Sequence, residues 1–234
     1  MTPKYHRVLI KLSGEALSGG TGFGIDQKTL DTVAGEIITA KNAGTEIAVV
    51  IGAGNFWRGR QGTEMNRATA DHMGMLATAL NALALQDAFD RAGVDSLVQT
   101  ALTVSSVAEP FNLRRADEAL SSGKIVIFAC GTGSPFFTTD TGAALRAAEI
   151  GADALLLAKN VDGIYDSDPK TNPAAKKYDR ISYMEVIQKG LKALDLTAAA
   201  MCMENKIPSV AFGLFEPDGI LKAVSGEAIG TVIE

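Results

Sequence analysis

The run Gly131-Thr132-Gly133-Ser134-Pro135-Phe136-Phe137-Thr138-Thr139-Asp140 gathers glycines, hydroxyls and a carboxylate in one short stretch. It follows an apolar segment, residues 125–130, that reads as a buried strand, and it precedes a helical pattern over residues 141–150. Glycines at a strand end let backbone N–H groups approach an anion closely. A helix N-terminus behind them adds partial positive charge. This chemistry suits a polar, phosphorylated ligand. A polar loop ending in a helix cap would satisfy the same residues, so the assignment depends on what else reaches that rim.

Other loops of the same kind follow other strand-like segments. Lys11-Leu12-Ser13-Gly14-Glu15 ends a strand at 8–12 and offers an ammonium and backbone donors to one phosphate. Gly52-Ala53-Gly54-Asn55 ends a strand at 46–51. Lys159 and Asp162 follow a strand at 154–158. Between these lie helical patterns over 27–42 (Asp26 as cap, Gly44 as stop), 69–92, 114–120, 183–189, 196–205 and 219–224, with further strands at 96–99, 209–212 and 231–233. Residues 165–178 are polar and proline-punctuated, without clear periodicity.

Apolar strands alternating with helices predict an α/β fold, a three-layer α/β/α sandwich with a largely parallel central sheet. Ligands of such sheets gather at the carboxyl ends of the strands, where all four polar loops fall. No linker or repeat interrupts the chain, so residues 1–234 read as a single domain.

Composition narrows the function. The chain is 47% hydrophobic and 21% charged, as soluble globular proteins are. The net charge of −5 argues against a nucleic-acid or membrane-surface partner while allowing a local basic pocket. Cys130 and Cys202 lie far apart in apolar segments and read as reduced core residues. Two cysteines and two histidines without ligand spacing predict no protein metal site. The N-terminus has no long apolar stretch, and a cytoplasmic location is expected.

Several phosphate chemistries are unsupported. No G-x-x-x-x-G-K-[ST] occurs, and the protein-kinase signatures are absent. Gly52-Ala53-Gly54 begins like a dinucleotide fingerprint, but Trp57 stands where its third glycine belongs.

Beyond these loops, Gly22-Phe23-Gly24-Ile25-Asp26, Arg58-Gly59, Met65-Asn66-Arg67, Asp71-His72-Met73-Gly74-Met75 and Val161-Asp162-Gly163-Ile164-Tyr165 run in order along the chain. With them the chain resembles the bacterial uridylate kinases of the amino acid kinase superfamily across nearly its whole length. The Asp71–Met75 and Pro135–Asp140 segments are the most specific to the UMP branch.

The resemblance implies transfer of the γ-phosphoryl group of Mg-ATP to UMP in pyrimidine nucleotide biosynthesis. It implies Lys11, Arg58, Asp140 and Asp195 as catalytic residues, with Asp140 and Asp195 orienting lysines. ATP would be held by Lys11, Leu12, Ser13, Gly14, Gly54, Arg58, Lys159, Asn160, Tyr165 and Asp168. UMP would be held by Ala53, Asp71, Thr132, Gly133, Ser134, Pro135, Phe136, Phe137, Thr138 and Thr139. Within that set Asp71 would accept the ribose hydroxyls, and Thr138 and Thr139 would read the uracil edge. Mg²⁺ would be held mainly by ATP and water. Asp140 and Asp195 could equally cap the helices that follow them, and capping does not exclude catalysis.

The family also implies a homohexamer of dimers and UTP inhibition. The small-residue helix at 69–92 suits a dimer face and equally suits ordinary packing inside one subunit. Relatives form a regulatory nucleotide site from regions matching residues 19–24 and 86–97. Here Gln86, Asp90 and Leu97 bring no positive charge and Arg91 does, which leaves GTP regulation open. The competing functions are a carboxylate or carbamate kinase of the same superfamily, against which Asp71 and Thr138-Thr139 argue, and a non-catalytic nucleotide- or oxyanion-binding protein.

Overall fold

The computed structural model describes residues 2–57 and 64–234. Strand β1 (Arg7–Leu12) alternates: Val8, Ile10 and Leu12 face one core, Leu9 the other. Strands β2 (Glu46–Ile51), β3 (Ser96–Thr100), β4 (Glu109–Pro110), β5 (Ile125–Ala129), β6 (Ala154–Lys159), β9 (Arg180–Ile181), β10 (Ser209–Gly213) and β11 (Thr231–Ile233) join it in one sheet. Its order is β4-β3-β5-β2-β1-β6-β10-β11-β9, and only β10 and β11 pair antiparallel. A separate ribbon pairs β7 (Ile164–Tyr165) with β8 (Lys177–Tyr178).

Helices cover both faces. On one side lie α1 (Gln27–Asn42), α2 (Arg67–Arg91) and α7 (Gly219–Ser225). Leu30, Val33, Ala34 and Ile37 of α1 recur at the spacing of one helix face and are buried. On the other side lie α3 (Leu113–Ser121), α4 (Thr139–Glu149), α5 (Tyr183–Gln188) and α6 (Leu196–Glu204). Helix α4 buries Ala143, Ala144 and Ala147, small side chains that bring its axis close to the sheet. A Cβ on Gly142 would stand 3.0 Å from Gly131 Cα, so glycine lets the first turn of α4 press against the loop before it.

The α/β/α sandwich is as expected, and most elements agree to within two residues. One difference bears on function. Helix α4 starts at Thr139 rather than Thr141 because Thr138, not Asp140, is its cap. Thr138 Oγ1 accepts from the N–H groups of Asp140 (3.1 Å) and Thr141 (3.3 Å). A 3₁₀ segment (Gly14–Thr21) follows β1 and runs into the glycine-rich stretch at 18–24, which reads as loop. The two-residue strands β4, β7, β8 and β9 are too short to leave a periodic signal. Strand β5 stops before Cys130, which has φ +64° and donates its N–H to Thr78 Oγ1 at 2.7 Å. Both cysteines are buried and free, as read, and burial pushes both thiols above their ordinary pKa.

Candidate active site

The carboxyl ends of β5, β2, β1 and β6 lie side by side, and the four polar loops converge there. Two clefts open at this rim. The first, of about 260 Å³, is lined by Lys11, Ser13, Gly14, Ala53, Gly54 and Asp71, by Thr132, Ser134, Phe137, Thr138 and Thr139, and by Trp57 and Arg67, among others. The second, of about 360 Å³, is lined by Lys159, Tyr165 and Asp168, with Lys189, Leu191 and Lys192 opposite.

Lys11 lines the first cleft. Strand alternation turns its side chain to the α4 face, where Nζ meets Asp140 Oδ1 at 2.8 Å. With Thr138 acting as cap, the Asp140 carboxylate in the first turn of α4 is left to hold the lysine. Lys159, at the end of β6, is the third charge of this group. Burial pushes its ammonium below the ordinary lysine range, Asp140 pulls it back up, and Lys11 pushes it down. Lys159 Nζ also reaches the Lys192 carbonyl at 3.3 Å.

Asp195 takes the capping role that its position before α6 allowed. It caps α6, accepting from Ala198 N–H at 2.8 Å. It also accepts from the Thr141 hydroxyl, at 2.9 Å on one oxygen, and from the Thr138 hydroxyl. The carboxylate ties the starts of α4 and α6 together through two threonines, rather than orienting a lysine. The hydroxyl of Thr138 is correspondingly spent on Asp195 and on the α4 cap, so it is not a free reader of a base. Thr139 stands by the turn after β2: a Cβ on Gly52 would stand 3.9 Å from its Oγ1.

Asp71, on α2, faces the first cleft. Its two oxygens sit 2.9 and 2.8 Å from Arg67 Nε, and one accepts the Phe136 N–H at 2.8 Å. Arg67 also stands over the Phe136 ring, 5.5 Å from its centroid. Phe136 has φ +74° and is exposed. Gly133, Pro135 and Phe136 shape the turn of the loop, while Thr132, Ser134 and Phe137 line the cleft.

Leu12 and Asn160, expected at the ATP site, line neither cleft. The Leu12 side chain is buried in the core beneath α1 and α2, and its carbonyl accepts from Gly52 N–H at 3.0 Å. Strand alternation explains this, since Lys11 and Leu12 must face opposite sides. Asn160 is exposed and does not line the second cleft. Tyr165 does, with its hydroxyl donated to Asp162 at 2.7 Å; that bond, with help from Lys177, lowers the Asp162 pKa. Asp168 Oδ1 accepts from Lys170 N–H. Arg58 lies outside the described residues.

Sequence reasoning left Arg67 and Trp57 without roles. Trp57 donates Nε1–H to the Ala70 carbonyl at 2.8 Å, which pins the turn after β2 to α2. The i,i+4 spacing of Arg67 and Asp71 was the available signal for their pairing.

Residues 6–212 match the amino acid kinase family. The UMP kinase of Bacillus anthracis superposes with a TM-score of 0.95 at 38% identity, over 98% of this chain and 96% of that one. The UMP kinase of Ureaplasma parvum gives 0.92 at 35% identity, over 99% of each chain. The uridylate kinase of Archaeoglobus fulgidus gives 0.75 at 32% identity, over 97% of this chain and 99% of that one.

Proposed function

The chain belongs to the amino acid kinase family and is a kinase, and we propose that it transfers the γ-phosphoryl group of Mg-ATP to UMP, giving UDP and ADP. The observation that carries this reading is the Lys11–Asp140 pair at the first cleft, within electrostatic reach of Lys159, which lines the second. The first cleft offers a phosphate turn and, in Asp71, a carboxylate suited to a pair of ribose hydroxyls. The second offers Lys159, an aromatic ring at Tyr165 and carboxylates at its mouth, which suits ATP.

The phosphate of UMP has a second pKa of about 6 and is already largely a dianion at neutral pH. No strong general base is required. The work lies in aligning two anions and stabilising charge that spreads over the transferring group. Lys11, oriented by Asp140, meets that charge from the acceptor side and Lys159 from the donor side. Arg58 is assigned to bridge the two phosphates. Asp195 acts through Thr138 and Thr141, fixing the start of α4 and therefore Asp140.

Among the described residues no three histidine, cysteine or carboxylate side chains converge as a metal site. Asp140 is engaged by Lys11, and Asp195 by two hydroxyls and an amide. This donor set fits magnesium arriving with the ATP phosphates as part of the substrate, with water as its remaining ligands.

The reading extends to one domain over 1–234, a homohexamer built from dimers, UTP inhibition by overlap with the UMP site, and work in the cytoplasm in pyrimidine nucleotide biosynthesis. On α2, Met73, Leu76 and Leu80 are 37%, 48% and 52% exposed at helical spacing, which supports a dimer face there. Arg91 is held by Asp31 at 2.7 Å and Asp87 at 2.8 Å, which weighs against a GTP triphosphate seated on it. Among the described residues no helix is long and apolar enough to cross a membrane.

A coupled ADP-release assay with Mg-ATP against UMP, CMP, dUMP, glutamate, aspartate and carbamate tests the reading. Turnover confined to UMP supports it. Turnover with glutamate, aspartate or carbamate instead would remove the nucleotide assignment, and binding of UMP without turnover would remove the catalytic one.

A further inference from the structure

The phosphate turn after β2 rests on two asparagines that the mechanism has not used. Asn55 and Asn81 are buried, at 1% and 0% exposure. Their amides bond reciprocally: Asn55 Nδ2 donates to Asn81 Oδ1 at 2.9 Å, and Asn81 Nδ2 donates to Asn55 Oδ1 at 2.8 Å. The other proton of each amide goes to a main-chain carbonyl. Asn81 donates to Gly52 O at 2.8 Å and Asn55 to Gly24 O at 2.8 Å. Both carbonyls can only accept, so they dictate which end of each amide points where. A buried polar pair is costly unless each bond is made, and when each is made it specifies one arrangement.

The arrangement it specifies is the direction of one peptide unit. In a trans peptide the C=O and N–H point opposite ways, and this chain has no cis peptide bond among its described residues. With the Gly52 carbonyl drawn toward α2, the N–H of the same unit, that of Ala53, is turned away from Asn81. Ala53 and Gly54 line the first cleft. The loop after β1 closes on the same carbonyl: a Cβ on Gly14 would stand 2.2 Å from Gly52 O and 2.6 Å from Asn55 Oδ1. Gly52 O is therefore clasped between the loop after β1 and the amide of Asn81.

We propose that Asn81 is a positioning residue for phosphoryl transfer. It aims the Ala53 N–H at the acceptor phosphate and sets the gap between that phosphate and the Ser13-Gly14 loop. The inference rests on the UMP kinase reading of the same cleft.

The test compares Asn81→Ala with Asn81→Ser, which keeps a donor, by steady-state kinetics per folded protein. Asn81→Ala should lower kcat and raise the KM for UMP, together worth ~10²-fold in kcat/KM, as expected for a displaced reactant. Its KM for ATP should stay near wild type, and Asn81→Ser should recover part of the loss. A folded Asn81→Ala enzyme with wild-type kcat and UMP KM would overturn the proposal, as would equal rises in both KM values. Should neither variant fold, the wild-type protein still decides. In ¹⁵N-labelled protein the Ala53 amide should shift with UMP and stay still with uridine, which lacks the phosphate. If UMP moves Asp71 and Phe136 but leaves Ala53 unmoved, Asn81 has no such role. If UMP perturbs no cleft residue and the enzyme does not turn it over, the UMP kinase reading itself fails, and this inference with it.

Discussion

Lys11 and Asp140 meet at 2.8 Å across the seam between β1 and α4. Alternation along β1 turns Lys11 toward α4 while Leu12 enters the core. Thr138 takes the cap of α4, which leaves the Asp140 carboxylate for the lysine. The pair is a product of two local rules, one for strands and one for helix starts.

If Asp140 acts through Lys11, their losses do not add. Lys11→Ala should cut kcat by ~10²-fold or more, as the loss of a preorganised electrostatic donor does. Asp140→Asn should cost less. The double variant should match Lys11→Ala rather than the product of the two. Steady-state kinetics on the four proteins checks this, and full additivity would show that Asp140 has a separate role.

Thr138 is expected to matter for structure more than for base choice. Thr138→Ala removes a cap and two backbone acceptances, at a cost of about 1 kcal/mol. It also leaves Asp195 short of one donor. Thermal unfolding should show a lower Tm, Thr138→Ser should restore it, and UMP-over-CMP preference should not change. A changed preference with unchanged Tm would return Thr138 to base reading. Thr139→Ala should raise the KM for UMP, and an unaltered KM would take Thr139 out of the UMP site.

Lys159 gives the free enzyme a pH signature. Its pKa lies below the ordinary 10.5, chiefly through burial. The unfolded chain therefore binds more protons than the folded one between these two values, and this group's contribution to stability rises with pH across that window. ATP brings negative charge to the ammonium and raises its pKa, so ATP binding in the window should take up protons. Calorimetry in buffers of different ionisation enthalpy should show that uptake, and Lys159→Gln should abolish it. Proton release by the wild type would contradict the placement of Lys159 against ATP.

The apolar stripe on α2 predicts assembly. Leu76→Asp combined with Leu80→Asp puts charge on an exposed face, where a monomer would tolerate it. Light scattering after gel filtration should show a smaller species with unchanged far-ultraviolet circular dichroism. An unchanged mass would move the dimer face elsewhere.

Much of this was legible in the sequence because it is local. Apolar periodicity marks β1, β2, α1 and α6, and glycine loops at strand ends mark the rim. What was hidden depends on pairing across the sheet. The hydroxyl of Thr138, which caps α4, also donates to Asp195, 57 residues on, a partner that no local pattern shows. The engagement of Asp71 requires Phe136, 65 residues away. Asn81 reads as one more position in an alanine-rich helix until its contact with Gly52 is seen. The Leu12 side chain lies in the core because a strand sends neighbours to opposite faces, whereas a motif names them together.

The central claim is best tested by following phosphorus directly. Wild-type protein incubated with equal UMP and Mg-ATP is monitored by ³¹P NMR, with Lys11→Ala alongside. The account predicts that UDP and ADP appear in equal amounts, without inorganic phosphate, and far more slowly with Lys11→Ala. ADP accompanied by free phosphate, or UMP left unchanged while ATP persists, would contradict it.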